Sequence, residues 1–393
     1  MGVPLAPLGS GFSHFANAHS STSFRNCSAG ATIPNVRSRR LLRRLCSLPS
    51  FYKAKNRERF ISEITMEVLP KIVYSDFVNQ NAPKIKFIDL FAGIGGIRLP
   101  FQELGYECVF SSEWDKAACE TYSANFGDIP AGDITKIKAE DIPSHDILLG
   151  GFPCQAFSIM GKMRGFEDTR GTMFFEIERI LKYHKTPVIM LENVKQLTTH
   201  DGGRTFKVIL EHLAALGYYV KWKVLNALDF GLPQKRERVI IVGFLDKSMS
   251  DEFNFDFPKI PYSLENILQK DNELDKSLFA SERIRNKRAE SVKGKNLFYP
   301  SVWHENKSGN ISVLDHACAL RTGASYNYLL INGVRRPSSR ELLRFQGFPD
   351  TYKIVVSYQE IRRQTGNSVA VPMIRAVAKK ISEIIEKKEV LNG

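Results

Sequence analysis

The chain has 393 residues, a hydrophobic content of 43% and a net charge of +13 at pH 7. This length and composition allow a sizeable core and suggest two domains. No apolar run is long enough to cross a membrane, and the six cysteines show no paired metal-binding spacing. The sequence therefore predicts a protein of a reduced, soluble compartment, without a membrane span or a metal.

The first 65 residues differ in composition from the rest. They hold ten Lys/Arg and two acidic residues, and a basic cluster lies between Arg37 and Arg44. Such composition resembles an organellar transit peptide. Alternatively, translation starts at Met66 and the segment is a mispredicted reading frame, which we favour because the later sequence looks bacterial. We expect a disordered extension at 1–65 and a bacterial cytoplasmic protein, with an organelle or the nucleus as the alternative.

The segment from Lys86 to Arg98 predicts a buried strand, a glycine-rich turn and a helix. Gly93, Gly95 and Gly96 supply the turn, which would bring the backbone close to a nucleotide-like ligand. The spacing departs from the dinucleotide fingerprint, because Arg98 stands where a third glycine would follow. A nicotinamide or flavin enzyme is therefore disfavoured.

A second strand, predicted over 108–112, ends at an acidic residue and an aromatic residue. Glu113 can accept hydrogen bonds from both ribose hydroxyls, and Trp114 offers a flat face for a purine. Asp133 closes the following segment. With no phosphate-binding loop in the sequence, this pattern indicates an adenosine-bearing cofactor rather than a nucleoside triphosphate.

Two further apolar segments, 146–150 and 188–191, are typical of strands buried on both faces of a parallel sheet. Cys154 follows the first after Gly151-Phe152-Pro153, and Glu192 follows the second. Since ligands bind beyond the carboxyl ends of such strands, both side chains would project into one cleft as nucleophile and proton donor. Taken alone, Cys154 is more often an inert core thiol.

The motifs occur in an order that resembles the DNA cytosine-5 methyltransferases of bacterial restriction-modification systems. Later matches are Gln234-Lys-Arg236-Glu-Arg238, the segment from Arg340 to Asp350, and Gln364-Thr-Gly-Asn367-Ser368-Val369. The resemblance runs from Phe87 to about Met373. It implies an α/β fold, a Rossmann-like S-adenosylmethionine-dependent methyltransferase sheet with a smaller target-recognition domain.

The resemblance also implies domain boundaries. We expect a catalytic and cofactor-binding domain at 84–246, a target-recognition domain at 247–338, and a segment at 339–393 that returns to the catalytic domain. A carboxyl-terminal helix from about Pro372 to Val390, with its apolar residues at helical spacing, would pack on that domain.

The implied roles of individual residues follow from the matched motifs. Cys154 would attack carbon 6 of cytosine, Glu192 would protonate nitrogen 3, and Arg238 would support the thiolate. We cannot assign the base that removes the carbon 5 proton. The residues implied for S-adenosylmethionine are Phe91, Gly93, Gly95, Glu113, Trp114, Asp133, Ile134, Asn367, Ser368 and Val369. No metal is required.

DNA contacts are expected from three parts of the chain, because the target base must leave the duplex to be reached. The glycine-rich stretch 155–171 resembles a mobile lid and contributes Gln155, Ser158 and Arg164. Arg236 comes from the Gln-x-Arg-x-Arg motif. Within the variable region, Arg321 and Thr322 are the expected major-groove contacts, and a basic run at 283–295 could follow phosphates.

Two other functions remain open at this level. A transfer-RNA cytosine-5 methyltransferase shares the Pro-Cys and Glu-Asn-Val motifs, but the Cys-Phe-Thr signature usual in that group is absent. A non-catalytic DNA-binding relative would be expected to have lost Cys154, Glu192 or the glycine turn. The expected partners are double-stranded DNA and a cognate restriction endonuclease, the expected state is a monomer, and no membrane is involved.

Overall fold

A computed structural model describes residues 85–153 and 173–392. Residues 84–393 cluster as one unit by their contacts. The predicted extension at 1–65 and the predicted lid at 155–171 lie outside the described residues. Within the described part, no helix is both long enough and apolar enough for a membrane span, and no three metal-ligating side chains come together.

A six-stranded mixed sheet forms the centre of the fold, in the order β2-β1-β3-β4-β7-β5. Its strands are β1 (Lys86–Leu90), β2 (Glu107–Ser112), β3 (Ile147–Gly151), β4 (Val188–Val194), β5 (Tyr219–Asn226) and β7 (Glu237–Phe244). The first four are parallel to one another, and β7 pairs antiparallel with both β4 and β5. This is the predicted α/β sheet, and the strand order reverses between β1 and β3, where such sheets bind ligands.

Helices cover both faces of this sheet, as buried parallel strands require. The helices of this part are α1 (Arg98–Glu103), α2 (Lys116–Phe126), α3 (Met173–His184), α4 (Arg204–Ala215), α5 (Lys247–Glu252) and the long α9 (Val371–Asn392). One core contains residues of α1, α5 and α9 packed on the sheet. The core on the other face contains residues of α3 and α4.

The carboxyl-terminal helix has the predicted apolar stripe. Ile374, Val377 and Ile381 are fully buried, and Ile384 and Ile385 are nearly so. They lie three or four residues apart, so they share one face of the helix. The end of the chain therefore packs on the first strands of the sheet, far away in sequence.

The remaining elements build a smaller region. It contains α6 (Glu282–Ser291), α7 (Ser339–Phe345), α8 (Tyr358–Asn367), and a three-stranded sheet of β8 (Val302–Glu305), β9 (Ile311–Leu314) and β11 (Leu330–Ile331). Its core joins Leu264, Val302 and Ile331 to Phe345 of α7 and Ile361 of α8. Thus α7 and α8 share this core, while α9 packs on the large sheet. The predicted boundaries at 247 and 339 stay predictions.

A short strand pair connects the two regions. The strand β6 (Gln234–Lys235) pairs in parallel with β10 (Ala317–Cys318). Because β6 immediately precedes β7 of the large sheet, this pair holds the loop after Cys318 close to the amino end of β7.

Candidate active site

The glycine turn after β1 lies at the carboxyl edge of the parallel strands. Gly93 and Gly95 have φ of +55° and +74°, and Phe91 also has a positive φ of +55°. A Cβ at Gly95 would lie 2.1 Å from the Phe126 ring, so only glycine fits there. At Gly93, by contrast, no described atom lies within 4 Å of an added Cβ, so the turn faces open space.

The acid after β2 is tied to this turn. Glu113 accepts a hydrogen bond from the Gly93 amide at Oε2 and one from the Asp115 amide at Oε1, both at 2.8 Å. Each carboxylate oxygen keeps a second lone pair for a further donor. Trp114 next to it is 78% exposed, so its indole face is free to cover a planar ring. These features fit the adenosine portion of S-adenosylmethionine.

Two other predicted cofactor residues lie after β2 and α2. Asp133 caps a short 3-10 turn, Ile134–Lys136, by accepting from the amide and the hydroxyl of Thr135. The Thr135 hydrogen bond lowers the pKa of Asp133, which keeps an anion there at neutral pH. Ile134 is buried beneath it. The backbone of Ile134 is further held by Arg179 of α3, which donates to its carbonyl.

The segment at 367–369, which is distant in sequence, packs directly against the glycine turn. A Cβ at Gly96 would lie 2.8 Å from Ser368 Oγ and 2.9 Å from Val369 Cγ2. Gly96 therefore permits a close approach that any larger residue would block. The motif resemblance already assigned Ser368 and Val369 to the same cofactor site as the glycine turn. Their direct contact with Gly96, 272 and 273 positions away, is seen only in the structure.

Glu192 lies within β4, near the carboxyl end of the strand, whereas the sequence predicted that it follows the strand. Its side chain is 10% exposed, and Oε1 pairs with Arg238 Nε at 2.9 Å. Burial raises the pKa of Glu192 above its ordinary value, although the Arg238 and Arg236 cations oppose that shift. A carboxyl group in this setting holds a proton to higher pH than an exposed glutamate does.

Antiparallel pairing explains how Arg238 reaches this acid. Val194 of β4 is opposite Arg238 of β7, and Glu192 is opposite Ile240. The amino end of an antiparallel strand lies at the same edge as the carboxyl ends of its parallel neighbours. Arg238, near the amino end of β7, therefore lies at the same edge of the sheet as Glu192, near the carboxyl end of β4.

Asn193 holds the loop that leads to the cysteine. Its side-chain amide donates to the Phe152 carbonyl at 2.8 Å, and its oxygen accepts from the Val194 amide. Asn193 is 2% exposed. Because Phe152 precedes Cys154 by two residues, this bond fixes the start of that loop. Sequence reasoning assigned no role to Asn193, although it lies within the Glu-Asn-Val motif.

Arg236 lies in the interior rather than at the surface. It is 1% exposed and donates to the carbonyl groups of Leu320, Gly366 and Ser368. Its Nε has no hydrogen-bond partner among the described residues. Burial and the neighbouring Arg238 lower the pKa of Arg236. This arrangement supports a positioning role for Arg236, whereas direct contact with DNA remains a prediction.

The predicted DNA contacts in the variable region, Arg321 and Thr322, lie near the start of the loop that follows β10. Arg321 and Thr322 are exposed, and Thr322 Oγ1 lies 3.5 Å from Asn367 Oδ1. A Cβ at Gly366 would lie 2.6 Å from the Thr322 nitrogen, so the loop packs directly on the 366–369 segment. The structure therefore brings Arg321, Thr322, Asn367 and Ser368 close to Arg236.

Four predicted site residues lie outside the described residues. They are the nucleophile Cys154 and the DNA contacts Gln155, Ser158 and Arg164. The described chain stops at Pro153, one residue before the cysteine, and resumes at Met173. The roles of all the site residues stay predictions.

The fold and the site together define a class of protein. The mixed α/β sheet carries a glycine turn, the acid Glu113 and the buried carboxyl group of Glu192 at one edge. This arrangement is typical of a Rossmann-like S-adenosylmethionine-dependent methyltransferase. Residues 85–383 match the family model described as C-5 cytosine-specific DNA methylase. The chain belongs to this family and is a DNA cytosine methyltransferase, as the motif order predicted.

Individual relatives agree with this assignment. The chain is 58% identical to the type II methyltransferase M.HaeII of Haemophilus aegyptius, over 75% of this chain and 91% of the relative. It is 56% identical to the type II methyltransferase M.NgoBI of Neisseria gonorrhoeae, over 75% and 92%. With these relatives, the transfer-RNA alternative has less support.

Solved structures share the fold. A mutant of DNMT2 from Spodoptera frugiperda superimposes with a TM-score of 0.61 at 20% identity, over 76% of this chain and all of the other. The Entamoeba histolytica methyltransferase EhMeth gives a TM-score of 0.58 at 18% identity, over 77% and 98%. At such identities the likeness shows the fold alone.

Proposed function

We propose that the protein methylates carbon 5 of one cytosine within a short double-stranded DNA site, through a covalent adduct with Cys154. The observation that carries this proposal is the buried Glu192–Arg238 pair beside the loop that leads to Cys154. By analogy with the type II relatives, the modification would protect DNA in a restriction-modification system. The proposed partners are therefore duplex DNA and, functionally, an endonuclease of the same specificity.

The residues would act on the ring of an extruded cytosine. Attack of the Cys154 thiolate forms a sulfur bond to carbon 6, and Glu192 donates its proton to nitrogen 3, so that electron density moves to carbon 5. After methylation, loss of the carbon 5 proton expels the thiolate and restores the double bond between carbons 5 and 6, and nitrogen 3 returns its proton to Glu192. The raised pKa of Glu192 suits a proton donor, and Arg238 orients its carboxyl group.

S-adenosylmethionine supplies an electrophilic methyl group when it is bound. Glu113 would accept hydrogen bonds from its ribose, Trp114 would cover its purine, and the turn around Gly93 would approach it closely. Ser368 and Val369 would close the pocket opposite Gly96. Asn193 and Arg236 would act as positioning residues, because each donates a hydrogen bond to a backbone carbonyl group next to the site.

Bisulfite sequencing of a plasmid recovered from cells that express the full chain would test this function. We expect one cytosine of a recurring short site to resist conversion completely. Cys154→Ala should abolish this resistance, and Glu192→Gln should lower the rate by about 10²- to 10⁴-fold, the usual contribution of a general acid. Tritium transfer from labelled S-adenosylmethionine to the same plasmid measures that rate.

Matched variants separate chemistry from folding. Cys46→Ala removes a thiol from the amino-terminal extension, and Glu211→Gln neutralises an exposed glutamate of α4; both should methylate at the rate of the unaltered protein. Normal methylation by Cys154→Ala would refute the adduct. If the DNA stays fully convertible while transfer RNA is methylated, the substrate is RNA and the proposed DNA substrate is wrong.

A further inference from the structure

Three arginines surround two tyrosines of the 320–328 loop, of which Tyr326 is exposed and Tyr328 is buried. The guanidinium carbons of Arg336 and Arg362 lie 4.7 and 3.9 Å from the centroid of the Tyr326 ring. The guanidinium carbon of Arg321 lies 5.5 Å from the Tyr328 ring centroid. Tyr326 itself is 44% exposed. We call Arg321, Tyr326, Tyr328, Arg336 and Arg362 the arginine–tyrosine patch.

The charges of this patch are not neutralised within the described chain. None of its three arginines forms an ion pair with a described carboxylate, whereas the chain neighbours Arg335 and Arg363 each pair with two. Arginine beside arginine without a counter-charge is electrostatically unfavourable. The patch is thus a local excess of positive charge, which an anionic partner would relieve.

The guanidinium groups are already oriented for a partner. Arg362 donates from Nη2 to the Ala324 carbonyl at 2.9 Å, and Arg336 donates from Nη2 to the Ser277 carbonyl at 2.6 Å. Contact with the aromatic rings restricts these side chains further. No described residue accepts a hydrogen bond from their other N–H groups. Less side-chain entropy is therefore lost when these groups bind a partner.

The patch is continuous with the active site through the backbone of Leu320. Gln234 accepts the Leu320 amide at 2.9 Å, and Arg236 donates to the Leu320 carbonyl at 3.0 Å. Both side chains are buried. Arg321 is the next residue, so the patch starts one residue from backbone that Arg236 holds. Arg236 lies two positions before Arg238, which pairs with Glu192.

We propose that Arg336 and Arg362 of the arginine–tyrosine patch bind the phosphodiester backbone of the target duplex, close to the extruded base. This inference rests on the proposed function, because it takes duplex DNA as the ligand. Planar guanidinium groups match phosphate oxygens in a bidentate manner. Phosphate contacts fix the position of the duplex without reading its sequence, so Arg336 and Arg362 contribute affinity and orientation.

The salt dependence of DNA binding gives a direct test. Each phosphate contact contributes about 0.9 to the slope of log affinity against log salt concentration. Arg336→Gln combined with Arg362→Gln should therefore reduce the slope by about 1.8. Arg336→Lys combined with Arg362→Lys should keep the slope but bind more weakly, because lysine retains the charge without the flat stacking. The probe is a short fluorescein-labelled duplex, measured by anisotropy between about 50 and 200 mM KCl.

Controls distinguish this inference from the function on which it rests. Arg375→Gln removes an arginine of α9 that pairs with Glu103, and it should leave the slope unchanged. In methyl transfer, the double glutamine variant should need a higher DNA concentration for half-maximal rate, whereas Arg375→Gln should need the same concentration as the unaltered protein. An unaltered slope in that variant, with DNA still methylated by the unaltered protein, would refute the patch alone. Failure of the unaltered protein to methylate duplex DNA would refute the proposed function instead.

Discussion

At the scale of single residues, the buried carboxyl group of Asp89 has an unusual environment. It lies on β1, fully buried, and among the described residues it accepts a hydrogen bond at Oδ2 alone, from the Tyr122 hydroxyl at 3.4 Å. Burial raises the pKa of Asp89 from 3.8 to about 8, against the lowering effect of Arg98. Arg98 is shared with Asp128, to which it donates at 2.6 Å. The proton on Asp89 is therefore linked to folding.

The sign of this linkage gives a prediction. A carboxyl group with a raised pKa in the folded state contributes stability below about pH 4, and that stability is lost as pH rises through about 8. Asp89→Asn cannot ionise, so its free energy of unfolding should fall less between pH 5 and pH 9. Urea unfolding at both pH values measures the difference. Asp141→Asn, at an exposed position, is the control for loss of one carboxylate, and an equal fall in both variants would contradict the linkage.

At the scale of elements, the contact between the glycine turn and the 367–369 segment determines the cofactor pocket. The turn lies between β1 and α1, and the segment lies where α8 ends and α9 begins, near the opposite end of the described chain. Ser368 and Val369 approach Gly96 so closely that no Cβ fits without displacement. The pocket thus depends on the docking of two elements rather than on either one.

Gly96→Ala should therefore weaken S-adenosylmethionine binding. Overpacking of this kind costs about 1–3 kcal/mol. If this cost falls entirely on the ligand-bound state, the affinity should drop by about 5- to 150-fold. Isothermal calorimetry with S-adenosylmethionine measures the loss. Gly105→Ala is the matched control, because its φ of +87° makes alanine strained while no described atom is near. It should lower stability by about 1 kcal/mol and leave affinity unchanged; equal affinity in Gly96→Ala would refute the contact's role.

At the scale of the whole molecule, α9 joins the end of the chain to the first strands. Its buried isoleucines pack in the same core as Phe87, Phe101 and Ile147. An ion pair from Arg375 to Glu103 of α1 lies at the surface of this contact. Exposed pairs contribute little, so the apolar stripe dominates the stability of this closure.

Ile381→Ala tests that closure. Removing a fully buried isoleucine should lower the free energy of unfolding by about 2–5 kcal/mol, measured by urea denaturation. Glu383→Ala changes an exposed residue two positions away, and it should stay within about 0.5 kcal/mol of the unaltered protein. An unfolding midpoint of Ile381→Ala equal to that of Glu383→Ala would show that α9 is dispensable for the core.

The sequence by itself determined the local elements and the chemistry that they carry. Apolar runs at 146–150 and 188–191 and the stripe of α9 reflect burial, which depends mainly on side-chain type and spacing. Motif order was enough to predict the family. Strand ends differed by a few residues, as for β4, which continues to Val194 and holds Glu192 within it.

Only the tertiary structure decided which charged residues are buried and which meet across the chain. Arg236 and Arg238 look alike in sequence, yet one is enclosed by backbone carbonyls and the other pairs with Glu192. Likewise, Arg335 forms an ion pair with Glu341, whereas Arg336 forms none with a described carboxylate. These differences arise from contacts between residues tens to hundreds of positions apart. The charge and size of a side chain are local properties, whereas its desolvation and its partners depend on the packing of the whole fold.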